Sequence, residues 1–456
     1  MTDLRDLNNQ QAPLQVRYSQ ITPLGMNATS KRVSFFPSNA GTFSGGSVIR
    51  IPISSSTCFL DGTLSCLKFT YKNISANAHQ IDNSAHSFIQ SVRVISRSGG
   101  MDLENIRHYG KLIAMLSDLQ LNDLDRAGRY HEGYGAGAQS NNPAIVAANA
   151  AANDVAGITA CVNAALVLAA NQTKSDYMGT NEPIFAQNGT MDFYLPLLSA
   201  ILGTNQSKYL PLFLCGQIDL ELQIASNPTI GGNACDFQIS NVEFQTQLIE
   251  FSGEMNNTLL NLCKQSGLYI HSTSWYSDKV AVNNGATAVS VLVSERLKSV
   301  KSLFCYTSIP RTATTIRENA RTASLVTSFH LKCGSTFFPN QPITGGATAN
   351  LSGGYITETY KALNEFGNIH CKALMNAGNF ASDGNTTASV GRAIFGVDLD
   401  AFVSKGSQIE SGFDFVNNNP TNINMNGTFV ASDMYIHILH DILIKIDQNF
   451  TLTASR

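Results

Sequence analysis

The chain has 456 residues, 43% of them hydrophobic, which is enough for two or three folded units with large cores. Charged residues make up only 14% and the net charge is −3, with no basic tail, so strong direct binding to nucleic acid is excluded. Nine cysteines stand singly and without a C-x-x-C pair, which argues against a disulfide framework or zinc site and for buried thiols in a reducing compartment. Asn, Ser, Thr, Gln and Ala replace the missing charges. Charge depletion of this kind marks surfaces that become buried in interfaces. The plainer alternative is an ordinary soluble β protein with a neutral surface.

Residues 1–44 are polar and without periodicity, and are expected to form an extended arm. Their start, MTDLRDLNNQQAPLQ, lacks the apolar stretch of a signal peptide. No window approaches eighteen uninterrupted apolar residues, so no transmembrane helix is expected. From VIRIPI (Val48 to Ile53) onward the chain becomes a series of alternating segments. In GQIDLELQIAS, Ile218, Leu220, Leu222 and Ile224 share one side, and Gln217, Asp219, Glu221 and Gln223 the other. That is a strand with one buried and one wet face. EFQTQLIEF closes this first region near Phe251.

A helical segment, EMNNTLLNLCKQ, is expected to link the halves at 253–267. Alternation resumes with GLYIHSTSWY, ATAVSVLVSE and VKSLFCYTSI, and ends in MYIHILHDILIKID. Many short strands with turn-rich spacers predict an all-β protein built of sandwiches. The halves also repeat one another faintly. SVRVISRSGG followed by IRHYGKLIAML matches SFHLKCGSTFFPNQPI followed by YITETYKALNEF, each being strand, glycine, then a helix carrying Y-x-x-L (Tyr109 to Leu112, Tyr360 to Leu363). Two sandwiches in tandem, 45–252 and 268–456, follow as the simplest account; chance similarity is the alternative. The first contains an insertion at about 125–186, whose Ala-rich stretch from Asn142 to Thr173 is expected to be helical or coiled.

Candidate chemistry is sparse. Asp219 and Glu221 lie two apart on one strand face, as paired glycosidase carboxylates do, but alternation alone already predicts polar residues there. His437 and His440 resemble a metal pair. On a strand, a spacing of three places them on opposite faces, so a hydrogen-bonded core histidine is the expectation for His440. HEGYGAGA (His131 to Ala138) lacks the lysine and the preceding strand of a phosphate loop. Sequons such as those at Asn73, Asn188, Asn426 and Asn449 are what an Asn/Ser/Thr-rich chain produces by chance.

Three stretches carry a resemblance. FHLKCGSTFFPNQPI followed by YKALNEF, MDFYLPLLSAILGTNQSKYLPLFLCGQIDLELQI, and VSERLKSVKSLFCY occur in the order found in double jelly-roll major capsid proteins of DNA viruses. The chain resembles that group, which includes polinton-like and adinto-like viruses, virophages and large algal viruses, over most of 45–450. The resemblance implies two tandem eight-stranded jelly rolls with short helices. It implies a structural role, with no enzyme activity, no catalytic, cofactor-binding or metal-binding residues, and no cofactor. It further implies a homotrimeric, pseudo-hexagonal capsomer that meets neighbouring capsomers and penton and minor capsid proteins. These build an icosahedral shell in a virion assembled inside the host cell, without sequence-specific nucleic-acid binding. Contact with an internal membrane stays open. The alternative is a jelly-roll glycan-binding or glycoside-cleaving protein.

Within this frame FHLKCGSTFFPNQPI is expected to be a strand that stops in a corner. Pro339 and Pro342 end the pairing, and Gly334 takes an unusual dihedral. Phe337 and Phe338 plug the open end of the sandwich, for about 1.5–3 kcal/mol each if fully buried. The arm is expected along the capsid interior, and the insertion in an outer crown shared by the trimer.

Overall fold

The alternating segments become strands, and the strands fall into two matching sets. The structure, a computed structural model, describes residues 27–75, 79–81, 83–121, 123–134, 184–185, 187–203, 208–226, 229–230, 236–308, 321–322, 325–344, 353–364, 390–391, 393–401 and 411–456. The first set is β1 (Ala28–Phe35), β2 (Val48–Ile53), β3 (Phe59–Asn73), β4 (Ile89–Ser96), β5 (Met101–Ile106), helix α1 (Tyr109–Gln120), β6 (Thr190–Leu195), β7 (Ile218–Ile224) and β8 (Phe237–Phe251). Helix α2 (Gly253–Ser266) follows. The second set is β9 (Leu268–Val282), β10 (Ala288–Leu292), β11 (Val300–Ser308), β12 (Leu325–Cys333), β13 (Thr336–Thr344), helix α3 (Gly353–Ala362), β14 (Phe395–Asp398), β15 (Thr421–Thr428) and β16 (Ser432–Ile446), with β17 (Leu452–Ser455) at the end.

In the first set the sheets run β1-β8-β3-β6 and β2-β7-β4-β5, all antiparallel. In the second they run β9-β16-β11-β14 and β10-β15-β12-β13, also antiparallel. Adding eight to each strand of the first set gives the second. Each set forms a sandwich, because the inward residues of its strands are mostly apolar. Ile218, Leu220 and Leu222 are fully buried, as the alternation predicts. Aromatic rings fill the first core, with Phe88 5.1 Å from Tyr71 and 5.3 Å from Phe237. In the second, Phe329 of one sheet meets Phe395 of the other at 5.4 Å.

Three expectations change: the bounds of the arm, the equivalence of the Y-x-x-L motifs, and the corner. Residues 28–35, assigned to the arm, are β1, paired with β8 from Ala28↔Phe251 to Phe35↔Phe244. This outermost strand is exposed along most of its length, so no apolar alternation betrays it. Residues 1–26 and 135–183, including the Ala-rich stretch, lie outside the described residues. The Y-x-x-L motifs are not equivalent: Tyr109 opens α1, whereas Tyr360 sits in the last turn of α3 and Leu363 lies beyond it.

The corner is a hairpin. Strand β12 turns through Gly334, at φ 59°, straight into β13, and Leu331↔Phe338 and Phe329↔Ile343 are in register. The four residues 339–342 between those pairs therefore bulge out opposite His330. Both prolines sit in that bulge, on an edge strand that pairs with β12 alone, where their missing N–H costs no ladder bond. Neither phenylalanine is fully buried. Phe338 packs 4.8 Å from Phe413, and Phe337 stays 38% exposed. The helix that follows is anchored by Tyr355, whose hydroxyl donates to the Val326 carbonyl at 3.1 Å.

Candidate assembly interface

Alternation predicts one buried and one wet face for each strand of the second sandwich. Strand β11 breaks the rule, because all nine of its residues are buried. Strand β16 is nearly as closed. The first sandwich packs α1 against them, and β5 against the neighbouring β9 and β17. A polar seam runs through this contact.

At one end of the seam, Glu104 of β5 is 1% exposed. It accepts from Ser199 Oγ at 2.5 Å, from the Ala200 amide at 3.0 Å and, across the seam, from Ser274 of β9. Burial raises its pKa, against the pull of these donors. Further along, Lys111 of α1 lies 3.3 Å from Ser308 Oγ and 5.3 Å above the Tyr435 ring. Its carbonyl accepts from the Tyr306 hydroxyl at 3.2 Å. Two turns on, Asp118 is held between Arg126 at 2.8 Å and Arg321 at 2.9 Å, and Arg321 in turn covers the Tyr306 ring at 4.8 Å. At the chain end, Arg456 donates to the Asp102 carbonyl.

Both histidines of YIHILHDI serve the packing. His437 is fully buried, with Nδ1 2.8 Å from Ser277 Oγ and Nε2 3.4 Å from the Tyr306 hydroxyl. Burial first, and then the nearby His108, Arg321 and Lys111, hold its pKa well below the ordinary value. His440 donates from Nδ1 to the Asp441 carbonyl at 2.9 Å, and burial pushes its pKa down to about 4. Each histidine keeps to its own partners, and among the described residues no group of three or more His, Cys, Asp or Glu is placed to hold a metal ion.

The two carboxylates of β7 also separate. Asp219 is buried and sits 2.7 Å from Arg97 Nε. Glu221 is bracketed by Arg50 at 2.8 Å and Arg93 at 3.3 Å, and Arg93 also reaches Asp102 at 2.7 Å. Cross-strand register explains this, because Glu221 lies directly opposite Arg50 on β2 and Arg93 on β4. The face expected to be wet is thus partly roofed by arginines. Both carboxylates of the pair are therefore engaged by guanidinium groups. Of HEGYGAGA, His131 to Tyr134 are described, and Glu132 is buried 3.3 Å from His86. Asn73 of the first sequon in β3 is fully buried, with its amide donating to the Phe185 carbonyl. Cys58, Cys66, Cys215, Cys263, Cys305 and Cys333 are free thiols, all but Cys66 buried.

Sequence reasoning missed Glu104, Lys111, Asp118 and Arg321. A signal existed for two of them: in YGKLIAMLSDLQ, Lys111 and Asp118 interrupt a helix that is otherwise largely apolar.

Strand order, matching sheets and a buried seam together describe one known architecture, and solved structures share it. PBCV-1 VP54, fitted into a reconstruction of the virophage Sputnik, superposes with a TM-score of 0.60 over 96% of this chain and 99% of that one, at 10% identity. The fold is a double jelly roll. The Faustovirus major capsid protein matches with a TM-score of 0.57 at 9% identity, over 96% of this chain and 94% of its own. The mavirus major capsid protein matches with a TM-score of 0.50 at 11% identity, over 98% and 95%. No protein-family model and no curated protein sequence matches the chain.

Proposed function

We propose that this double jelly roll is the major capsid protein of a DNA virus. Three copies form a pseudo-hexagonal capsomer, and capsomers form an icosahedral shell, completed by penton and minor capsid proteins. Its role is structural rather than catalytic, and its place is the virion. The observation that carries this reading is the pairing of two complete rolls, β1–β8 and β9–β16, across a buried seam, with whole-length likeness to capsid proteins of several viruses. The low charge content suits the role, since each charge covered in a shell must be desolvated. Sedimentation of the purified chain, followed by negative-stain microscopy, tests it. Trimers with a hexagonal outline are expected, and a protein that stays monomeric at all concentrations is not a capsomer subunit.

A further inference from the structure

Two buried side chains of the second roll stand in a reactive arrangement that assembly does not call on. Lys301 is the second residue of β11, and Asp441 lies in β16, the strand beside it. Val300 pairs with His440 and Ser302 with Leu439, so Lys301 is an extra residue in a bulge, with none opposite it in the register. Its Nζ stands 3.2 Å from Asp441 Oδ1, and the two residues are only 7% and 4% exposed.

The other contacts of the carboxyl group each suit one step of amide formation. Ser299 Oγ donates to Oδ2 at 2.7 Å. The Gly412 amide donates to the same Oγ at 2.9 Å, which leaves the hydroxyl proton to point at Asp441. His271 Nε2 lies 3.1 Å from Oδ1, and beside a carboxylate oxygen that nitrogen carries the ring proton. A nucleophile, a polarised acyl carbon and a proton carrier thus share one site that excludes water. Taking two charges out of water is costly. Moving one proton from Nζ to the carboxylate removes both charges and leaves a desolvated amine, which is a nucleophile.

We propose that Lys301 and Asp441 condense into an isopeptide bond that ties β11 to β16. Nζ passes one proton to Oδ1, and the neutral amine attacks Cγ to form the Nζ–Cγ bond. Ser299 steadies Oδ2 as negative charge gathers there, and Oδ2 becomes the amide oxygen. His271 gives its Nε2 proton to Oδ1 and recovers one from Nζ. The Cγ–Oδ1 bond breaks, and Oδ1 leaves as water. An ammonium and a carboxylate become one amide and one water, with no further reactant. Hydrolysis opposes this reaction between free groups in water. Groups held in contact reach effective molarities of about 10⁵–10⁸ M, which favours closure. The bond needs only the folded second roll and does not depend on capsomer formation. To a shell subunit it adds a covalent tie between strands distant in sequence, which constrains the unfolded chain.

The test is peptide mapping of the unmodified full-length chain, denatured and digested with trypsin. Mass spectrometry should find a branched peptide joining Lys301 to Asp441, lighter than its two parts by one water, with no cleavage after Lys301. Finding only the two linear peptides, cut after Lys301, overturns the proposal whatever the oligomeric state of the chain. Lys301→Arg keeps the positive charge but loses the nucleophile, so it should give no branched peptide. A branched peptide through Asp441 that persists in this variant also overturns the proposal. In newly synthesised chains followed over time, His271→Ala should slow the appearance of the branched peptide by about 100-fold. An unchanged rate there overturns the proton path through His271.

Discussion

At the residue scale the decisive fact is how deeply polar groups are buried and how locally each is satisfied. His440 shows the consequence. Its pKa is pushed down to about 4, so as pH falls below about 6.5 the unfolded chain takes up the proton before the folded chain does. Stability therefore rises with pH across that window and is lost on acidification. At about 1.4 kcal/mol per pH unit, His440 alone costs about 3 kcal/mol between pH 7 and pH 4. His437 acts in the same direction. Glu104, whose pKa is raised by burial, acts in the opposite sense: its contribution is largest in acid and fades as pH rises through its folded pKa. Urea unfolding across this range should show a falling midpoint in acid, with a flatter dependence for His440→Gln. An unchanged slope in that variant would contradict the assignment.

At the element scale, edges explain most of the differences between expectation and structure. Strand β1 was not legible because an exposed edge strand has no face to bury, and so carries no apolar period. The segment FHLKCGSTFFPNQPI was legible as a strand and a turn, but its prolines were given the wrong task. On an edge they coexist with pairing and discourage further strands from adding. The edge of the facing sheet on the same side of the second roll is closed differently. Strand β14 is roofed by α3, where the Gly396 amide donates to Thr359 Oγ1 at 3.0 Å. A Cβ on Gly396 would stand 2.8 Å from Thr359 Cα. Gly396→Ala should therefore push the helix off the edge and cost about 1–3 kcal/mol, read as a lowered thermal midpoint. A midpoint equal to that of the unmodified chain would mean that α3 is not seated as described.

At the scale of the whole molecule, the seam makes two rolls into one body. Asp118 holds Arg126 from its own roll and Arg321 from the other, all within the buried region. Removing one partner of a buried pair strands the remaining charge and costs about 3–5 kcal/mol. Asp118→Ala should therefore divide a single calorimetric transition into two, as the rolls lose their coupling. The double variant Asp118→Ala with Arg321→Met should recover part of the loss. A single, unshifted transition in Asp118→Ala would place the coupling elsewhere along the seam.

The sequence by itself determined the all-β class, the main strands, the linking helix and the tandem arrangement, because each rests on a local period that one buried face imposes. Alternation alone also placed Asp219 and Glu221 on one face of their strand, and His437 and His440 on opposite faces of theirs. Only the tertiary structure decided that both faces of β11 are buried, that Glu104 meets Ser274, Lys111 meets Ser308 and Asp118 meets Arg321, and that β7's polar face is roofed by Arg50 and Arg93. Those contacts join residues 128 to 203 positions apart, or lie on a face covered by a separate roll. A two-residue period reports that a strand has an inside, but it carries no record of what a distant segment lays against the outside.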